Sequence, residues 1–313
     1  MNDRFEMRSR TAPFFVLAAG VLWGCMGLLV RSMSPYGFTS MEIVFFRAVV
    51  TGILMLLFML IGKRKELKIR LKNLWCFLGT GLASVVFFNF CYFSCMRLTT
   101  LSTAAILLYT APSFLMILSA ILFRERFTAL KVICLILTFL GCILVSGGFG
   151  SSMGPSGLLL GLGAGFGYAL YSVFSRYAIE RKYSSFTITT YTFLFAALGC
   201  VPFMNPGHFA GCVSESGGWN LLFILLTILT TVAAYLFYTA GLSGMENGIA
   251  GILASVEPVV ATLVGVLVFR EKLSLWSMAG MVLILASCAA VSLAGRTKKE
   301  PQDHKVKDSN GIG

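Results

Sequence analysis

The sequence is poor in charged residues and has no long polar segment. Charged residues make up 12% of the 313 positions, whereas apolar residues make up 57%. A chain this apolar cannot cover itself with a solvated surface, which excludes an ordinary soluble domain. Polar stretches occur only at the two ends, in the 62–72 loop and in the 205–218 loop. No soluble catalytic domain fits into segments of this length.

The chain also lacks the residue patterns of common enzymes and metalloproteins. It contains no nucleotide-binding loop, no Ser/His/Asp set and no HExxH motif. His208 and His304 are the only histidines, too few to suggest a metal site. The nine cysteines form no CxxC pair and lie mostly in apolar runs, where cysteine behaves as a small hydrophobic residue. We therefore expect no enzyme activity, no cofactor and no metal, and no ATP-driven pumping by this chain alone.

Long apolar runs account for most of the chain. A helix needs about 20 residues to cross roughly 30 Å of hydrocarbon, and blocks of this length recur along the sequence. The pattern predicts an all-α membrane protein with ten transmembrane helices. The predicted spans are 13–31, 40–61, 73–96, 101–123, 129–148, 156–176, 184–204, 219–241, 248–269 and 274–295.

Basic residues are concentrated on one predicted face of the membrane. If the N-terminus is cytoplasmic, the opposite face holds only Arg31, Arg97, Arg270 and Lys272. This bias predicts that both the N-terminus and the C-terminus are cytoplasmic. It also accounts for the formal net charge of +12, so no nucleic-acid partner is expected. The basic N-terminal segment precedes an apolar run without a cleavage site, which predicts a retained first span and not a signal peptide.

One stretch of the sequence occurs twice. Shifting residues 103–146 by 146 positions superposes them, without gaps, on residues 249–292. The shift aligns Pro112 with Pro258, and it aligns the Phe-Arg-Glu run that begins at Phe123 with its copy. An internal duplication in a membrane chain is typical of transporters built from two halves around a central site.

Five spans in each half predict that the halves have opposite orientations. Because five is odd, the second half enters the membrane from the other side. The sequence thus predicts two inverted five-helix repeats, at 13–148 and 156–295, followed by a disordered cytoplasmic tail at 296–313. Glu125 and Glu271 lie at the ends of equivalent spans beside arginines, and we expect them to anchor helix ends instead of contacting a substrate.

Glu257 is the most informative polar residue in the predicted spans. It lies about nine residues into its span, or ~13 Å by helix rise, which is near the bilayer midplane. Pro258 follows it and predicts a helix kink, as does Pro112 in the first repeat. A carboxylate at such a position can bind a cationic substrate group or carry a proton. The alternative is a glutamate that only fixes the packing of neighbouring helices.

Arg47 and Asn89 are further polar candidates for a central cavity. Arg47 could pair with Glu257 or Glu42, bind a substrate carboxylate, or extend outward to the interface. Asn89 could hydrogen-bond either a ligand or a neighbouring helix. At the repeat shift, Asn89 corresponds to Tyr235.

Several aromatic residues lie deeper in the spans than an interfacial belt would place them. An aromatic-lined cavity can hold a planar or ammonium-bearing ligand. The aromatic candidates are Trp23, Tyr92, Tyr109, Tyr168, Tyr171, Tyr235 and Tyr238.

With these motifs, residues 13–295 resemble the EamA-type members of the drug/metabolite transporter superfamily. The resemblance rests on Trp23-Gly24, Phe46-Arg47, Pro112 with 123–126, and Glu257-Pro258 with 269–272. It implies ten helices in two inverted five-helix repeats, a central cavity, and movement of small metabolites. Amino acids, nucleotide precursors, amines and drugs are all family substrates. This chain has Ala111 in the first repeat where the second has Glu257, so the acidity of the site is asymmetric.

The sequence therefore predicts a secondary transporter of the plasma membrane. It is expected to move a small organic solute, such as an amino acid or amine, by alternating access, in the export direction. The expected partners are that solute and the lipid bilayer, with a proton or cation as a candidate coupling ion. The alternatives are an ion-coupled importer and a non-transporting membrane receptor or assembly subunit.

Overall fold

All regular secondary structure in the described residues is helical. The computed structural model describes the backbone at 2–147 and 154–297, and side chains at 11–147 and 154–294. The α-helices of the first half are α1 (Asn2–Gly24), α2 (Met26–Met33), α3 (Ser40–Gly62), α4 (Leu74–Leu78), α5 (Phe87–Leu98), α6 (Leu101–Leu108), α7 (Ala111–Phe123) and α8 (Ala129–Val145). Those of the second half are α9 (Pro155–Glu180), α10 (Ser185–Cys200), α11 (Pro206–Ser216), α12 (Trp219–Thr227), α13 (Ala234–Leu242), α14 (Asn247–Ala254), α15 (Glu257–Phe269) and α16 (Leu275–Thr297).

Most of the predicted spans correspond to helices long enough to cross a membrane. Within the described ranges, nine helical segments are sufficiently long and apolar, although several of them combine two or more helices. The fifth predicted span differs, because α8 has 17 residues and is shorter than the usual crossing length of about 20. The all-helical membrane fold is confirmed, and a tenth full-length crossing is not. The predicted tail at 296–313 lies outside the described residues, apart from its first two positions, which continue α16.

The two halves share their helix breaks. One apolar segment is divided into α6 and α7, and the other into α14 and α15, at positions that are 146 residues apart. Each second helix restarts with proline in its first turn, where the missing N–H has no cost because that donor has no partner within the helix. The distortions predicted from Pro112 and Pro258 are thus short turns just before each proline, which divide each apolar segment into two helices.

Each half also contains a π-helical stretch, at Gly79–Val86 and at Ile228–Ala233. Under the 146-residue shift these stretches overlap. In the first, the Asn89 side-chain amide donates to the Val85 carbonyl at 2.7 Å, and so satisfies an oxygen beside the widened turn. π-Helical turns are frequent at functional sites, and both stretches lie in the helices that surround the centre of the protein.

The halves pack together through equivalent helix pairs. The pairs α1–α13 and α5–α9 correspond to each other under the repeat shift, and α3–α10 and α8–α16 join each helix to its own counterpart. In α8–α16 the backbones approach at two glycines, because a Cβ added to Gly141 would lie 2.8 Å from the Gly280 carbonyl oxygen. This arrangement places the helix breaks and Trp23 around a shared interior.

Candidate functional site

The two helix breaks face a common cavity. One wall comes from the α6–α7 break and the other from the α14–α15 break, with α9 and α13 between them. The lining residues are Leu108, Tyr109, Ala111, Pro112, Leu115, Tyr168, Ala169, Tyr238, Gly251, Ala254, Ser255 and Glu257. In this structure the cavity has room for little more than one water molecule. The cavity is therefore narrow.

Side chains and turns satisfy the backbone groups at both breaks. The Thr110 hydroxyl donates to the Leu107 carbonyl at 2.6 Å, and the Ser255 hydroxyl donates to the Gly251 carbonyl at 3.1 Å. Non-helical backbone is tolerated deep in a membrane only where protein or a polar cavity surrounds it. The breaks thus form a polar centre in an otherwise apolar bundle.

Glu257 is the acidic group of the cavity. It is the first residue of α15, so its carboxylate lies at the positive end of the helix dipole. The Tyr168 hydroxyl donates to Glu257 Oε2 at 3.3 Å. Among the described side chains, Glu257 forms no ion pair with a lysine, arginine or histidine. A carboxylate that lacks a protein cation in a membrane interior can accept a ligand ammonium group or a proton.

Aromatic rings lie next to this carboxylate. The buried Trp23 ring lies 6.0 Å from Tyr168, 5.3 Å from Tyr235 and 5.0 Å from Tyr238, measured between centroids. Ring faces attract cations, and they do so most strongly when water is excluded. The rings of Trp23, Tyr168 and Tyr235, like the carboxylate of Glu257, would therefore attract a cationic group.

Two of the predicted tyrosines instead join neighbouring helices. Tyr171 shares a hydrogen bond of 2.8 Å with Thr239, and Tyr238 shares one of 2.7 Å with Ser172. Both bonds connect α9 to α13. Tyr238 still contributes its ring to the cavity wall, whereas Tyr171 contacts the rings of Tyr235 and Tyr238 behind it.

Arg47 lies near Tyr235 and has no carboxylate partner among the residues with described side chains. Its Nε donates to the Thr231 hydroxyl at 3.0 Å, in the π-helical stretch of the second half. Arg47 and Glu257 interact electrostatically with Tyr235 and with each other, but within the described residues Arg47 forms no ion pair. The pairings with Glu42 or Glu257 that the sequence suggested are not formed. Thr231, the observed partner, had no signal in the sequence.

Glu42 belongs to a different site, at the N-terminal end of α3. Its carboxylate is buried, closes a capping box with Thr39, and lies 2.9 Å from His208 Nδ1 in α11. Thus α11 is attached to the start of α3. This pair was not predicted, because nothing in the sequence indicated that the 205–218 loop folds back onto α3.

Asn89 and Tyr92 are not among the residues that line the cavity. Asn89 is buried and donates to its own helix, and Tyr92 packs against Phe88 and Phe93. Tyr109, by contrast, lies in the cavity wall beside Pro112. The structure thus brings together Glu257, Tyr109, Tyr168, Tyr238 and Pro112 in the cavity wall, and the adjoining candidates are Trp23, Tyr235 and Pro258.

Metal-ligating side chains do not cluster in the part of the chain with described side chains. There, no group of three or more His, Cys, Asp or Glu residues is arranged to hold a metal ion. All nine cysteines are free, and eight of them are buried.

Comparison with known proteins identifies the family. A model described as the EamA-like transporter family matches residues 10–147 and, a second time, residues 155–293. The chain belongs to this family. It is therefore a multi-span membrane transporter and not an enzyme.

Relatives and a solved structure agree with this assignment. The chain is 26% identical to the uncharacterized transporter YwfM of Bacillus subtilis, over 94% of this chain and 97% of that protein. It is 28% identical to an uncharacterized transporter of Archaeoglobus fulgidus, over 85% and 91% of the two chains. A crystal structure superposes on 93% of this EamA-family chain and 99% of its own with a TM-score of 0.75, and at 20% identity this likeness shows the fold alone.

Proposed function

We propose that this EamA-family transporter exports a small organic solute that carries an ammonium group, such as an amino acid or amine. The single observation that supports this most strongly is Glu257. Its carboxylate faces the central cavity, receives one hydrogen bond from Tyr168, and has no cation from the described residues beside it. A positively charged ligand group would supply that missing partner.

The surrounding groups support the same class of solute. Trp23, Tyr168 and Tyr235 offer ring faces to an ammonium group held by Glu257. Arg47, which donates to Thr231 and to no carboxylate in the described part of the chain, is the group that would bind an acidic function of the solute. The proposed orientation therefore places the ammonium group toward α15 and any carboxylate toward α3.

The narrowness of the cavity supports a mechanism with more than one conformation. A space for little more than one water molecule cannot admit an amino acid, so the helices must separate before a solute enters. In the proposed mechanism, two inverted repeats at 13–148 and 156–295 move relative to each other and expose the site to one side at a time. Both termini are proposed to be cytoplasmic.

Ion-coupled import is the second candidate function. It is favoured by the same Glu257–Tyr168 pair, because a carboxylate in a membrane interior can exchange a proton for a cationic solute. Export and import then differ only in the direction of the driving gradients. A non-transporting receptor or subunit is the outcome if the cavity never widens.

The proposal is tested with purified protein in liposomes of known orientation. Counterflow of labelled amino acids and amines is measured with wild type, Glu257→Gln and Glu215→Gln, the last being a matched change on α11, away from the cavity. We expect saturable flux in wild type and in Glu215→Gln, and a loss of at least about tenfold in Glu257→Gln, because the neutral amide cannot pair with an ammonium group.

Each outcome of this experiment has a definite meaning. Flux that a pH gradient drives inward, with Glu257→Gln insensitive to the gradient, would replace export by coupled import. Equal flux in all three proteins would remove Glu257 from the mechanism. Absence of saturable flux for every solute, in a protein that binds one of them, would favour the receptor.

A further inference from the structure

The loop that leads into α14 forms hydrogen bonds and an ion pair with charged side chains from the first half and from α9. Glu125 lies just after the end of α7, and its carboxylate accepts hydrogen bonds from the backbone N–H groups of Asn247 at 2.7 Å and Gly248 at 3.1 Å. These are the first two residues of α14, a helix whose own N-cap residue provides no side-chain hydrogen bond. Glu125 therefore caps α14 from another part of the chain.

Two basic residues hold the same loop. The buried Lys131 of α8 forms an ion pair with Glu246, the N-cap of α14, and also donates to the Arg126 carbonyl at 3.0 Å. Arg176 of α9 donates to the carbonyls of Leu242 at 2.9 Å and Met245 at 3.0 Å. We call Glu125, Lys131 and Arg176, together with residues 242–248, the first latch.

The repeat provides an equivalent position at the other end of the bundle, where the contact is absent. Glu271 corresponds to Glu125, and both follow an arginine with φ of 56° that ends a helix. The N-terminus of α6 corresponds to that of α14. Within the described residues, however, the Glu271 carboxylate is paired with Arg31 and does not reach α6. Helix α6 is capped locally, because the Thr100 hydroxyl accepts from the Thr103 N–H at 3.1 Å.

Helix packing shows the same asymmetry. α14 packs closely against α7, whereas the corresponding helices α6 and α15 make no comparable contact. The close side is made possible by Gly251, where an added Cβ would lie 3.1 Å from Leu115 Cδ2 and 3.5 Å from Pro112 Cα. The two ends of an otherwise repeated structure thus differ in both helix capping and helix packing.

We infer that Glu125 and Glu271 are alternating gate residues of the transport cycle. In the state described here, Glu125 closes the first latch. In the opposite state, Glu125 releases α14, and Glu271 leaves Arg31 to cap the N-terminus of α6 at Leu101 and Ser102. This inference rests on the proposed function, since it assigns the residues that close the pathway on each side of the Glu257 cavity.

The proposed exchange of caps offsets part of the free-energy difference between the two states. Each state has one glutamate at a helix N-terminus, where a carboxylate is favoured by the dipole and by charge-assisted hydrogen bonds. Arg31 keeps the second glutamate paired while it is away from its helix. A small difference between two such arrangements is what a ligand must overcome to shift the population.

Hydrogen–deuterium exchange of the purified protein tests the inference without any solute. The exchange rates of the amides at 247–248 and 101–102 are compared in wild type and Glu125→Gln, with Glu215→Gln as the matched control. In Glu125→Gln we expect exchange at 247–248 to rise about tenfold or more, because hydrogen bonds to a charged acceptor are lost. At the same time, exchange at 101–102 should slow at least threefold, because Glu271 now caps α6.

A second variant separates a gate from local damage. In the Glu125→Gln/Glu271→Gln double variant, the amides at 101–102 should return to the wild-type rate. If Glu125→Gln does not fold, Glu246→Gln is used instead, because it removes only the ion-pair partner of Lys131. We expect it to change the exchange rates at 247–248 and 101–102 in the same directions, by smaller factors. Unchanged exchange at 101–102 in the single variant, relative to Glu215→Gln, would overturn the inference.

The result is independent of the solute flux experiment. If the exchange rates at the two helix ends change together but no solute gives saturable flux, the proposed function is wrong and the alternation of the two glutamates is retained. If flux is saturable and depends on Glu257 but the exchange rates at the two helix ends change independently, the alternation of the two glutamates is wrong and the proposed function is retained.

Discussion

At the scale of single residues, the tyrosines around Glu257 have two different tasks. Tyr168 donates its hydroxyl to the carboxylate, whereas Tyr171 bonds to Thr239 and joins α9 to α13. The two hydroxyls lie on the same helix, one turn apart. Removing each of them in turn therefore distinguishes a ligand-binding role from a structural one.

We predict that Tyr168→Phe weakens solute binding severalfold with little loss of stability, since it removes a hydrogen bond to the binding carboxylate. Tyr171→Phe should leave binding unchanged and lower the free energy of unfolding by about 1–3 kcal/mol, because it leaves the buried Thr239 hydroxyl without its partner. Ligand titration and thermal unfolding in detergent measure both quantities. The reverse pattern would show that the assignment of the two tyrosines is wrong.

Cys212 gives a pH-dependent prediction outside the membrane-spanning segments. Burial, with added repulsion from Glu42 and Glu215, raises the pKa of the Cys212 thiol above its ordinary value. A raised pKa leaves less reactive thiolate at neutral pH. We expect iodoacetamide to alkylate Cys212 slowly at pH 7. The alkylation rate of Cys212 should keep rising with pH beyond the pH at which the rate of an exposed thiol levels off.

Peptide mass spectrometry after iodoacetamide treatment measures this rate. Ser214→Cys places a second thiol at an exposed position on the same helix, and serves as the internal control. Equal alkylation rates at pH 7 for both thiols would contradict the environment described for Cys212.

At the scale of helices, the two prolines and the internal repeat were sufficient to predict where the helices are distorted. Pro112 and Pro258 predicted distortions at equivalent depths, and both are helix interruptions. The fifth predicted span was longer than α8, because it included Ser146 and Gly147, which lie beyond the end of the helix. Apolarity alone does not determine where a helix stops, since turns and caps decide it.

The contacts between helices were less predictable. Arg47 had three candidate partners by charge, yet its partner is the neutral Thr231, which is 184 residues away. Glu125 was expected to anchor a helix end, and the end it caps is that of α14, 122 residues away along the chain. Such pairings depend on how helices are arranged in space, which neither periodicity nor charge in one sequence specifies.

The α8–α16 contact yields a prediction about close packing. Gly141→Ala should destabilise the protein by about 1–3 kcal/mol, because the new methyl group would overlap the Gly280 carbonyl oxygen and force the helices apart. Gly27→Ala, in α2, meets no atom within 4 Å and should be neutral or stabilising. Thermal unfolding of the two variants compares them directly, and similar melting temperatures would show that the helices do not pack as described.

At the scale of the whole molecule, the proposed transport mechanism requires two halves of opposite orientation around one cavity. The family match covers both halves, and the helix breaks recur at the same shift. The opposite orientation itself is a proposal, supported by the distribution of basic residues. Inverted halves bring both helix breaks to one central site. A carboxylate at one break, with alanine at the other, is then sufficient for that site.

Labelling of equivalent positions at the ends of the two repeats tests this orientation. Phe127 and Leu273 are equivalent under the repeat shift, and both are exposed. Phe127→Cys and Leu273→Cys are treated, in sealed cells, with a maleimide that cannot cross the membrane, and the unsubstituted protein gives the background. The account predicts labelling of Leu273→Cys from outside, and of Phe127→Cys only after permeabilisation. Labelling of both from the same side would contradict it.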